Sequence, residues 1–359
     1  MKIKVNNKDL VFVIHQFKTG GVEAMFVNLA NKLKDRKIYL ILSFDSFDKD
    51  LILNLPNNVI LINEGKKKPS LLNIIRVVYK MNNMYDFSNV NIINFSDTLS
   101  TLLIQKLIKS KGKISWVHCN PYALKESTSF ILYKKFLSEN DKIICLCDSQ
   151  KIALEQLVPS LAKKVYLISN FIDEKTVDIK AKDFFYVDYK FILMVSRFDL
   201  RTKDFKTVID AYLSLPIFIQ NAYKLVLLGD GPDFNEIKNY CNNENIIYPG
   251  RDINPFKWMF NCEFLVHSSL SEGFSLVLLE AMFLGKSVIS SDCNFGPDDI
   301  LYNGKYGFLF DIHDSEALSE LMKSLLLDES LKLNFERKAL KRAKEIQLMA
   351  EDSIKRYLL

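Results

Sequence analysis

Two carboxylates and a run of small residues follow an apolar stretch in the second half of the chain. The segment 268–275 (Ser-Ser-Leu-Ser-Glu-Gly-Phe-Ser) comes directly after the apolar run 264–267, and Glu280 follows Glu272 by eight residues. Glycine and serine there would present backbone N–H groups at the start of a helix, a favourable place for phosphate. Chance alone gives roughly one such glutamate pair in a chain this long, so the spacing also fits two solvated helix acids. An acid, a glycine and an aromatic residue directly after a buried strand favour a binding site.

A second glycine turn lies near the start of the chain. Residues 17–21 (Phe-Lys-Thr-Gly-Gly) separate the first apolar run from an amphipathic stripe that begins at Val22. Gly20 and Gly21 carry no side chain, so a ligand could approach the backbone at the helix start. A tight strand-to-helix turn without any ligand explains the same residues equally well, and chemistry alone leaves both interpretations open.

Alternating apolar runs and helical patterns must position these turns. The continuous runs are typical of strands buried on both faces of a parallel sheet, and they are 10–15, 38–42, 59–62, 90–95, 114–118, 143–147, 165–168, 191–195, 225–228, 246–248, 264–267, 287–289 and 308–310. Strand and helix in repeated order predict an α/β fold with two Rossmann-like domains. We expect an N-terminal domain over 1–178, a C-terminal domain over 186–345, and a helix over 346–359 that crosses back to the first. The charged stretch 172–190 would connect the two domains.

Composition sets outer limits on the function. The 359 residues are 48% hydrophobic and 25% charged with a net charge of +5, which is ordinary for a globular protein and does not demand nucleic acid. No run approaches the roughly 18 apolar residues that span a bilayer, and the polar start is not a signal peptide. The six cysteines lack zinc-ligand spacing and are interpreted as buried free thiols. These features predict a cytoplasmic protein.

Residues 271–282 resemble the motif of family 4 retaining glycosyltransferases, in which seven residues separate two glutamates. Other segments resemble this family in the expected order: 195–199 with 202–204 (an Arg…Lys phosphate clamp), 228–232 (a turn after a central strand), 249–251 with 254–255 (a loop near the base), 291–297 (common in bacterial surface-polysaccharide enzymes), 20–23 (a glycine loop) and 116–118 (an active-site histidine strand). The resemblance implies a GT-B fold, in which two Rossmann-like domains face a central cleft. It is strongest over 191–300.

The resemblance also implies roles in binding the donor. Arg197 and Lys203 would grip the two phosphates and stabilise the leaving diphosphate. Glu280 would accept hydrogen bonds from the ribose, and Arg251 would lie beside the base. Backbone groups that contact sugar or phosphate would come from Gly273, Phe274, Ser275 and Leu276. The alternative is that Arg197 and Lys203 are surface cations and that Arg251 is solvated.

The resemblance also implies one catalytic residue in each predicted domain. Glu272 would hold hydroxyls of the transferred sugar, and His118 would meet that sugar from the N-terminal domain, where Gly20 and Gly21 would face the diphosphate. His118 could instead be a satisfied core histidine. The other histidines, His15, His267 and His313, are interpreted as structural.

Two features depart from the simplest pattern. Ser196 stands where the family commonly has glycine before the clamp arginine, which predicts a small change in loop shape. Asp48-Lys49-Asp50 forms the acid, any residue, acid pattern of metal-dependent glycosyltransferases. It is predicted to lie in a polar loop after the second strand, outside the clamp, and is interpreted as solvated. The resembled family is metal-independent, so neither a metal nor a cofactor is expected.

The predicted reaction is retaining transfer of a hexose or N-acetylhexosamine from a UDP-sugar. A glycan or lipid-linked glycan of bacterial cell-surface polysaccharide, such as lipopolysaccharide or capsule, would accept it. A GT-B sugar-nucleotide epimerase and a non-catalytic nucleotide-sugar-binding subunit remain alternatives. A nicotinamide dehydrogenase and a P-loop kinase are disfavoured because G-x-G-x-x-G and G-x-x-x-x-G-K-[ST] do not occur.

A basic surface in the first half suggests peripheral contact with the inner membrane surface. The lysines are Lys66, Lys67, Lys68, Lys106, Lys109, Lys111 and Lys113, and the second group follows the apolar residues Leu102, Leu103, Leu107 and Ile108. Such a surface could touch anionic lipid. An ordinary solvated face fits it equally well.

Overall fold

A computed structural model describes residues 2–18, 20–63, 70–125 and 129–359, with nothing said of the side chains of Leu124 and Lys125. The chain forms two compact units. Unit 1 comprises Met1–Asn170 and Ala350–Leu359, and unit 2 comprises Phe171–Met349.

Unit 1 contains a parallel sheet of seven strands in the order β4-β3-β2-β6-β7-β8-β9. Their bounds are β2 Leu10–Ile14, β3 Ile38–Leu42, β4 Val59–Ile62, β6 Asn91–Asn94, β7 Gly112–Trp116, β8 Lys142–Cys145 and β9 Val165–Leu167. Two further short strands, β1 Ile3–Lys4 and β5 Tyr85–Asp86, pair with each other. All seven apolar runs predicted in this half are confirmed as strands, whereas the two-residue strands were missed because they carry no apolar pattern.

The helices of unit 1 cover the faces of this sheet. Their bounds are α1 Gly21–Lys32, α2 Lys49–Leu53, α3 Leu71–Met84, α4 Leu99–Leu107, α5 Pro121–Lys125, α6 Phe130–Ser138 and α7 Asp148–Leu157, followed by a 3₁₀ turn Pro159–Leu161. Side-chain caps fix several helix starts: Ser70 accepts from the N–H of Asn73, and Asp48 accepts from the N–H of Asp50. The pattern Asp48-Lys49-Asp50 is therefore the start of a helix and not a loop.

Unit 2 contains a six-stranded parallel sheet in the order β12-β11-β10-β13-β14-β15. Its strands are β10 Lys190–Val195, β11 Tyr223–Leu228, β12 Ile246–Gly250, β13 Leu265–His267, β14 Val288–Ser291 and β15 Phe308–Phe310. Its helices are α8 Glu174–Ala181, α9 Phe205–Leu213, α10 Ile217–Ala222, α11 Phe234–Tyr240, α12 Phe256–Asn261, α13 Leu276–Phe283, α14 Pro297–Leu301, α15 Ser315–Leu327 and α16 Glu329–Tyr357. The six predicted strands of this half are confirmed.

Unit 2 begins with the short helix α8 and ends with the long helix α16. The charged stretch 172–190 contains α8, which buries Val177 and Ala181 and packs against α12. The long helix α16 begins in unit 2, and its residues from Ala350 onward belong to unit 1. Within unit 1, Lys142 Nζ donates to the Tyr357 carbonyl oxygen at 2.8 Å.

All six cysteines are free thiols, as the sequence predicted. Four are buried, and Cys119 and Cys241 are only partly buried, so the prediction of burial is wrong for those two. In the part of the chain that the structure describes, no helix is long and apolar enough to cross a membrane.

Candidate functional site

The loops that follow β10 and β13 pair with each other at the carboxyl edge of the unit 2 sheet. Asp204 N–H donates to the Ser268 carbonyl oxygen at 3.1 Å, and Leu270 N–H donates to the Thr202 carbonyl oxygen at 2.9 Å. Ligands of open α/β sheets bind at this edge, outside the carboxyl ends of the strands. The pairing brings Lys203 beside Ser269 and the start of the glutamate motif.

One oxygen of Glu272 collects three hydrogen bonds. Its Oε1 accepts from Lys203 Nζ, from Ser269 Oγ at 2.8 Å and from His267 Nε2 at 3.1 Å. Lys203 Nζ also donates to Ser269 Oγ at 2.9 Å. No partner of Oε2 is present among the residues that the structure describes. The carboxylate is thus anchored through one oxygen and has the other available for a ligand hydroxyl.

The charges of this cluster favour an ionised Glu272. Burial alone would raise the pKa of Glu272, but the charge of Lys203 and the hydrogen bond from His267 outweigh it and lower that pKa. Burial lowers the pKa of His267, so its ring is neutral near pH 7. Because an ionised carboxylate only accepts hydrogen bonds, the proton of His267 resides on Nε2. Its Nδ1 is buried without a partner in the described part of the chain.

Helix α13 begins immediately after this cluster, as the sequence predicted. Ser275 Oγ caps it by accepting from the N–H of Leu278 at 3.4 Å. At its other end Gly285 has a φ of +74°, and the N–H groups of Gly285 and Lys286 donate to the carbonyls of Met282 and Ala281 in a Schellman motif. Both ends of α13 are therefore capped.

Glu280 lies on the second turn of α13 and is 9% exposed. No side-chain partner of its carboxyl is present among the described residues. Burial therefore raises the pKa of Glu280 to about 8. A buried carboxyl without a partner is costly, and bound hydroxyl groups would compensate it.

Two glycines shape the loops around the cluster. Gly296, with a φ of +93°, packs so closely on the glutamate motif that a Cβ there would lie 2.9 Å from the Cα of Phe274. Gly229 has a φ of +146°, and its Cβ would lie 1.9 Å from the Ser196 carbonyl oxygen. Only glycine fits either position. Segment 291–297 therefore packs against the loop that carries Glu272, and segment 228–232 packs against the loop that carries Arg197.

In unit 1, His118 follows β7 and lies against aromatic rings. Its ring centroid is 4.3 Å from that of Phe95 and 6.0 Å from that of Trp116. Burial lowers the pKa of His118 to about 3, so the ring is neutral at pH 7. His118 Nε2 has no partner in the described part of the chain. A neutral imidazole of this kind can donate to or accept from a ligand hydroxyl.

Asp97 holds the loop that carries His118. Asp97 Oδ2 accepts from the backbone N–H groups of His118 at 2.8 Å and Cys119 at 2.9 Å, and Tyr133 donates to Oδ1 at 3.3 Å. Burial raises the pKa of Asp97 to about 6, although these hydrogen bonds oppose the shift. Asp97 gave no signal in the sequence beyond its position after a strand.

The glycine turn of unit 1 leads into α1 at Gly21. Space in front of Gly21 is open, and a Cβ at Gly20 would meet only the Glu23 carboxylate at 2.8 Å. The Lys18 N–H donates to that carboxylate at 3.4 Å. Neither glycine is required by a positive φ, so local backbone conformation does not explain this pair.

Comparison with known proteins finds a similarity for most of unit 2. Residues 176–342 match the family glycosyl transferases group 1. This segment of unit 2 is therefore similar to group 1 glycosyl transferases. All predicted site residues from Arg197 to Glu280 lie within this match.

Two relatives carry glycosyltransferase names, and a solved structure shares the fold. A 4-alpha-N-acetylgalactosaminyltransferase of Campylobacter jejuni, which acts on an N-acetylgalactosamine-N,N'-diacetylbacillosaminyl-diphospho-undecaprenol, is 33% identical over 215 residues, and the match spans 57% of this chain and 57% of the relative. An uncharacterised glycosyltransferase of Methanocaldococcus jannaschii is 27% identical over 81% of this chain and 84% of its own. HepE of Anabaena, solved with UDP and glucose, has a TM-score of 0.79 at 17% identity over 97% of this chain and 99% of its own. The GT-B fold predicted from the sequence is confirmed.

Within the matched region, the structure places some predicted site residues closer together than others. Lys203 and Glu272 are in contact, and α13 begins four residues after Glu272 with Glu280 on its second turn. Arg197 follows β10 at the same edge, where its side chain is 63% exposed and its Nε lies 4.0 Å from Asp199 Oδ2. Arg251 follows β12 and is exposed.

The sequence interpretation assigned His267 and His313 to structural roles. His313 Nδ1 lies 2.8 Å from Asp204 Oδ2, and Asp204 caps α9, so that contact is structural. His267 instead contacts Glu272 directly. Its position at the end of β13, five residues before Glu272, was the available signal.

Proposed function

We propose that the chain is a retaining glycosyltransferase that moves a hexose or N-acetylhexosamine from a UDP-sugar to a glycan or lipid-linked glycan. One observation carries the proposal: a cation, an anchored carboxylate, the start of α13 and the partnerless Glu280 occupy one edge of the unit 2 sheet. The group 1 match supports transfer of a sugar. HepE, solved with UDP and glucose, and the Campylobacter relative with its diphospho-undecaprenol acceptor support the choice of donor and acceptor class.

The donor would bind with its ribose on Glu280 and its diphosphate on Lys203 and Arg197. Lys203 Nζ has three N–H groups, of which Ser269 and Glu272 take two. The third can donate to a phosphate oxygen without breaking either bond. The amides of Gly273, Phe274, Ser275 and Leu276 would add dipolar stabilisation to the developing negative charge. Arg251 would lie beside the base.

Glu272 would orient the transferred sugar by accepting from its hydroxyls at Oε2. Its lowered pKa makes this carboxylate a weak base, and its Oε1 is fully engaged. We therefore assign the proton of the acceptor hydroxyl to an oxygen of the leaving phosphate, in a front-face reaction with retention. In unit 1 we assign His118, Gly20 and Gly21 to the same reaction, on the acceptor side.

The proposal needs no metal ion, because Arg197, Lys203 and the start of α13 carry the charge of the leaving group. Among the described residues, no group of three or more His, Cys, Asp or Glu is placed to hold a metal. Transfer should therefore continue at an unchanged rate in excess EDTA. A rate that collapses in EDTA and returns with a divalent cation would contradict this part of the proposal.

The proposal is tested first with the donor. A thermal-shift screen of nucleoside diphosphates and their sugars should select UDP compounds, and the bound sugar then enters transfer assays with glycan and lipid-linked acceptors. NMR of the product should show the donor's anomeric configuration. An inverted centre would refute retention, and turnover of donor without any acceptor would favour an epimerase instead.

We further propose that the product belongs to bacterial cell-surface polysaccharide and that the chain works in the cytoplasm, peripheral to the inner face of the membrane. The support for this location is the diphospho-undecaprenol acceptor of the Campylobacter relative and six free thiols.

A further inference from the structure

The surface around α4, which the sequence predicted to face a membrane, does not expose the expected apolar residues. Leu102 and Ile108 are 1% and 2% exposed, and Leu103 packs against the core of unit 1. Lys106 forms an ion pair with Glu139 at 2.7 Å. The apolar side of α4 therefore faces inward, and that part of the prediction is wrong. Lys66, Lys67 and Lys68 lie outside the described residues.

A different apolar surface is exposed on the two helices that flank α4. Helices α3, α4 and α6 pack side by side in that order. On α3, Leu71, Leu72, Ile75 and Tyr79 are 62%, 78%, 51% and 69% exposed. On α6, Ile131 and Leu132 are 81% and 51% exposed. Large apolar side chains are seldom exposed in such numbers on neighbouring helices unless they bind something.

The charges of the same three helices are of one sign. Arg76 and Lys80 lie on α3, and Lys134 and Lys135 lie on α6, whereas Lys106 on α4 is paired with Glu139; none of the three helices contains Asp or Glu. The whole chain is nearly balanced, with 48 basic and 43 acidic residues. The basic composition is therefore a property of this layer and not of the chain as a whole.

We infer that α3, α4 and α6 form a docking face for an anionic membrane surface. Apolar side chains interleaved with cations on α3 suit an interface where acyl chains meet negative headgroups. A second copy of this chain would oppose like charges across such a face. Nucleic acid would satisfy the cations but leave the leucines and isoleucines exposed to water.

The position of the face links it to the proposed function, on which this part of the inference rests. Helix α6 ends at Ser138, only a few residues before β8 begins at Lys142, so it starts at the opposite, carboxyl edge of the sheet. Helix α3 follows β4 and starts at that same edge. The loops that carry Asp97 and His118 also lie there. A lipid-linked acceptor held in the membrane would thus be presented to the predicted acceptor-side residues.

The test is co-flotation of the full chain with vesicles that contain about one third anionic lipid. Wild-type protein should float with these vesicles, less at high salt, and not with zwitterionic ones. The variants Leu72→Ser/Ile131→Ser and Arg76→Glu/Lys134→Glu should each reduce the bound fraction at least about tenfold.

Matched controls distinguish binding through this face from nonspecific electrostatic or apolar binding. Ile217→Ser/Phe218→Ser removes two side chains of unit 2 that are 68% and 61% exposed, and it should float like wild type. Lys109→Glu/Lys111→Glu makes the same charge change beyond the end of α4, and it should lose much less binding than Arg76→Glu/Lys134→Glu. Equal losses in test and control variants, or a wild-type chain that does not float, would overturn the inference.

Failure of the proposed function gives a different result. The α3 and α6 variants should transfer sugar to a soluble acceptor at the wild-type rate and lose transfer only to acceptor embedded in vesicles. A chain that floats yet transfers no sugar would refute the proposed function and leave the docking face standing. Variants that lose the soluble reaction as well would refute the docking role of these residues.

Discussion

Glu280 is buried on α13 without a partner, and this has a consequence for stability. The folded chain keeps a proton on Glu280 up to a pH of about 8, whereas a glutamate in the unfolded chain releases it near its usual pKa of 4.5. Because the native state then binds more protons, the contribution of this group to the free energy of unfolding falls as the pH rises from about 4.5 to 8. Above pH 8 the contribution stays constant.

We therefore predict that Glu280→Gln is more stable than wild type and binds UDP less tightly. The stability gain should grow with pH through this window, reaching about 2 kcal/mol or more at pH 8. UDP affinity should fall at least about tenfold, because ribose hydroxyls that donate to Glu280 would favour its ionised form, and an amide cannot offer that charged acceptor. Urea unfolding at several pH values and calorimetric titration measure the two effects. A variant that is less stable at every pH would contradict the burial argument.

His267 supports Glu272 through a single N–H, so its substitution should separate positioning from packing. His267→Leu removes the donor and should lower kcat about tenfold or more, with little change in the KM for the donor. His267→Gln can place an amide N–H near the same point and should recover part of kcat. Steady-state kinetics on both variants, alongside urea unfolding, give the comparison. Equal losses of kcat in the two variants would indicate that the ring matters only for packing.

For unit 2, the sequence predicted which residues lie near the site better than it predicted the hydrogen bonds between them. Glu272, Lys203 and Ser275 were expected near one helix start, and the fold places them there. The hydrogen bonds around Glu272 depend on the pairing of the loops after β10 and β13. This pairing is a long-range contact that leaves no periodic signal in the sequence. For that reason His267 was interpreted as structural and Ser269 was given no role.

At the scale of elements, loop 271–275 keeps its shape because a second loop packs against it. Gly296→Ala would put a Cβ 2.9 Å from the Cα of Phe274 and would also strain a φ of +93°. We predict that this variant displaces Glu272 and α13's first turn and lowers donor affinity by at least about tenfold. Titration of the variant with UDP measures the loss.

Gly304→Ala is the matched control. Gly304 has a φ of +76°, but a Cβ there would meet only the Gly307 carbonyl oxygen at 3.7 Å. It should therefore cost about 1 kcal/mol of stability, like any alanine forced into this region, and leave UDP affinity unchanged. Equal affinities in the two variants would show that the contact with Phe274 does not position the site.

The order of strands and helices was readable because buried parallel strands leave continuous apolar runs between amphipathic helices. The outward faces were harder to predict. In 102–108 the sequence shows leucines beside lysines, yet the leucines mostly face the core and only Leu107 is largely exposed. In α3 the exposed leucines resemble core residues by type. Only the packing of α3 against α4 shows which side is left uncovered.

At the scale of the whole molecule, two ligands should protect two different units. UDP should slow amide hydrogen exchange in unit 2, in the loops that follow β10, β11 and β13 and in the first turns of α13, because these segments would hold the diphosphate and ribose. Anionic vesicles should slow exchange in the first turns of α3 and α6 of unit 1. Neither ligand should change exchange in the C-terminal half of α15, which packs against α9.

Hydrogen exchange is measured by mass spectrometry with each ligand separately and then with both. The measurement shows whether protection is confined to the predicted segments or spread over the whole chain. Arg76→Glu/Lys134→Glu should abolish the vesicle effect and keep the UDP effect, and Glu280→Gln should do the reverse. A UDP effect that spreads evenly over both units would indicate global stabilisation and would count against a site confined to unit 2. The two variants thus test the donor site and the docking face in one molecule, each serving as the control for the other.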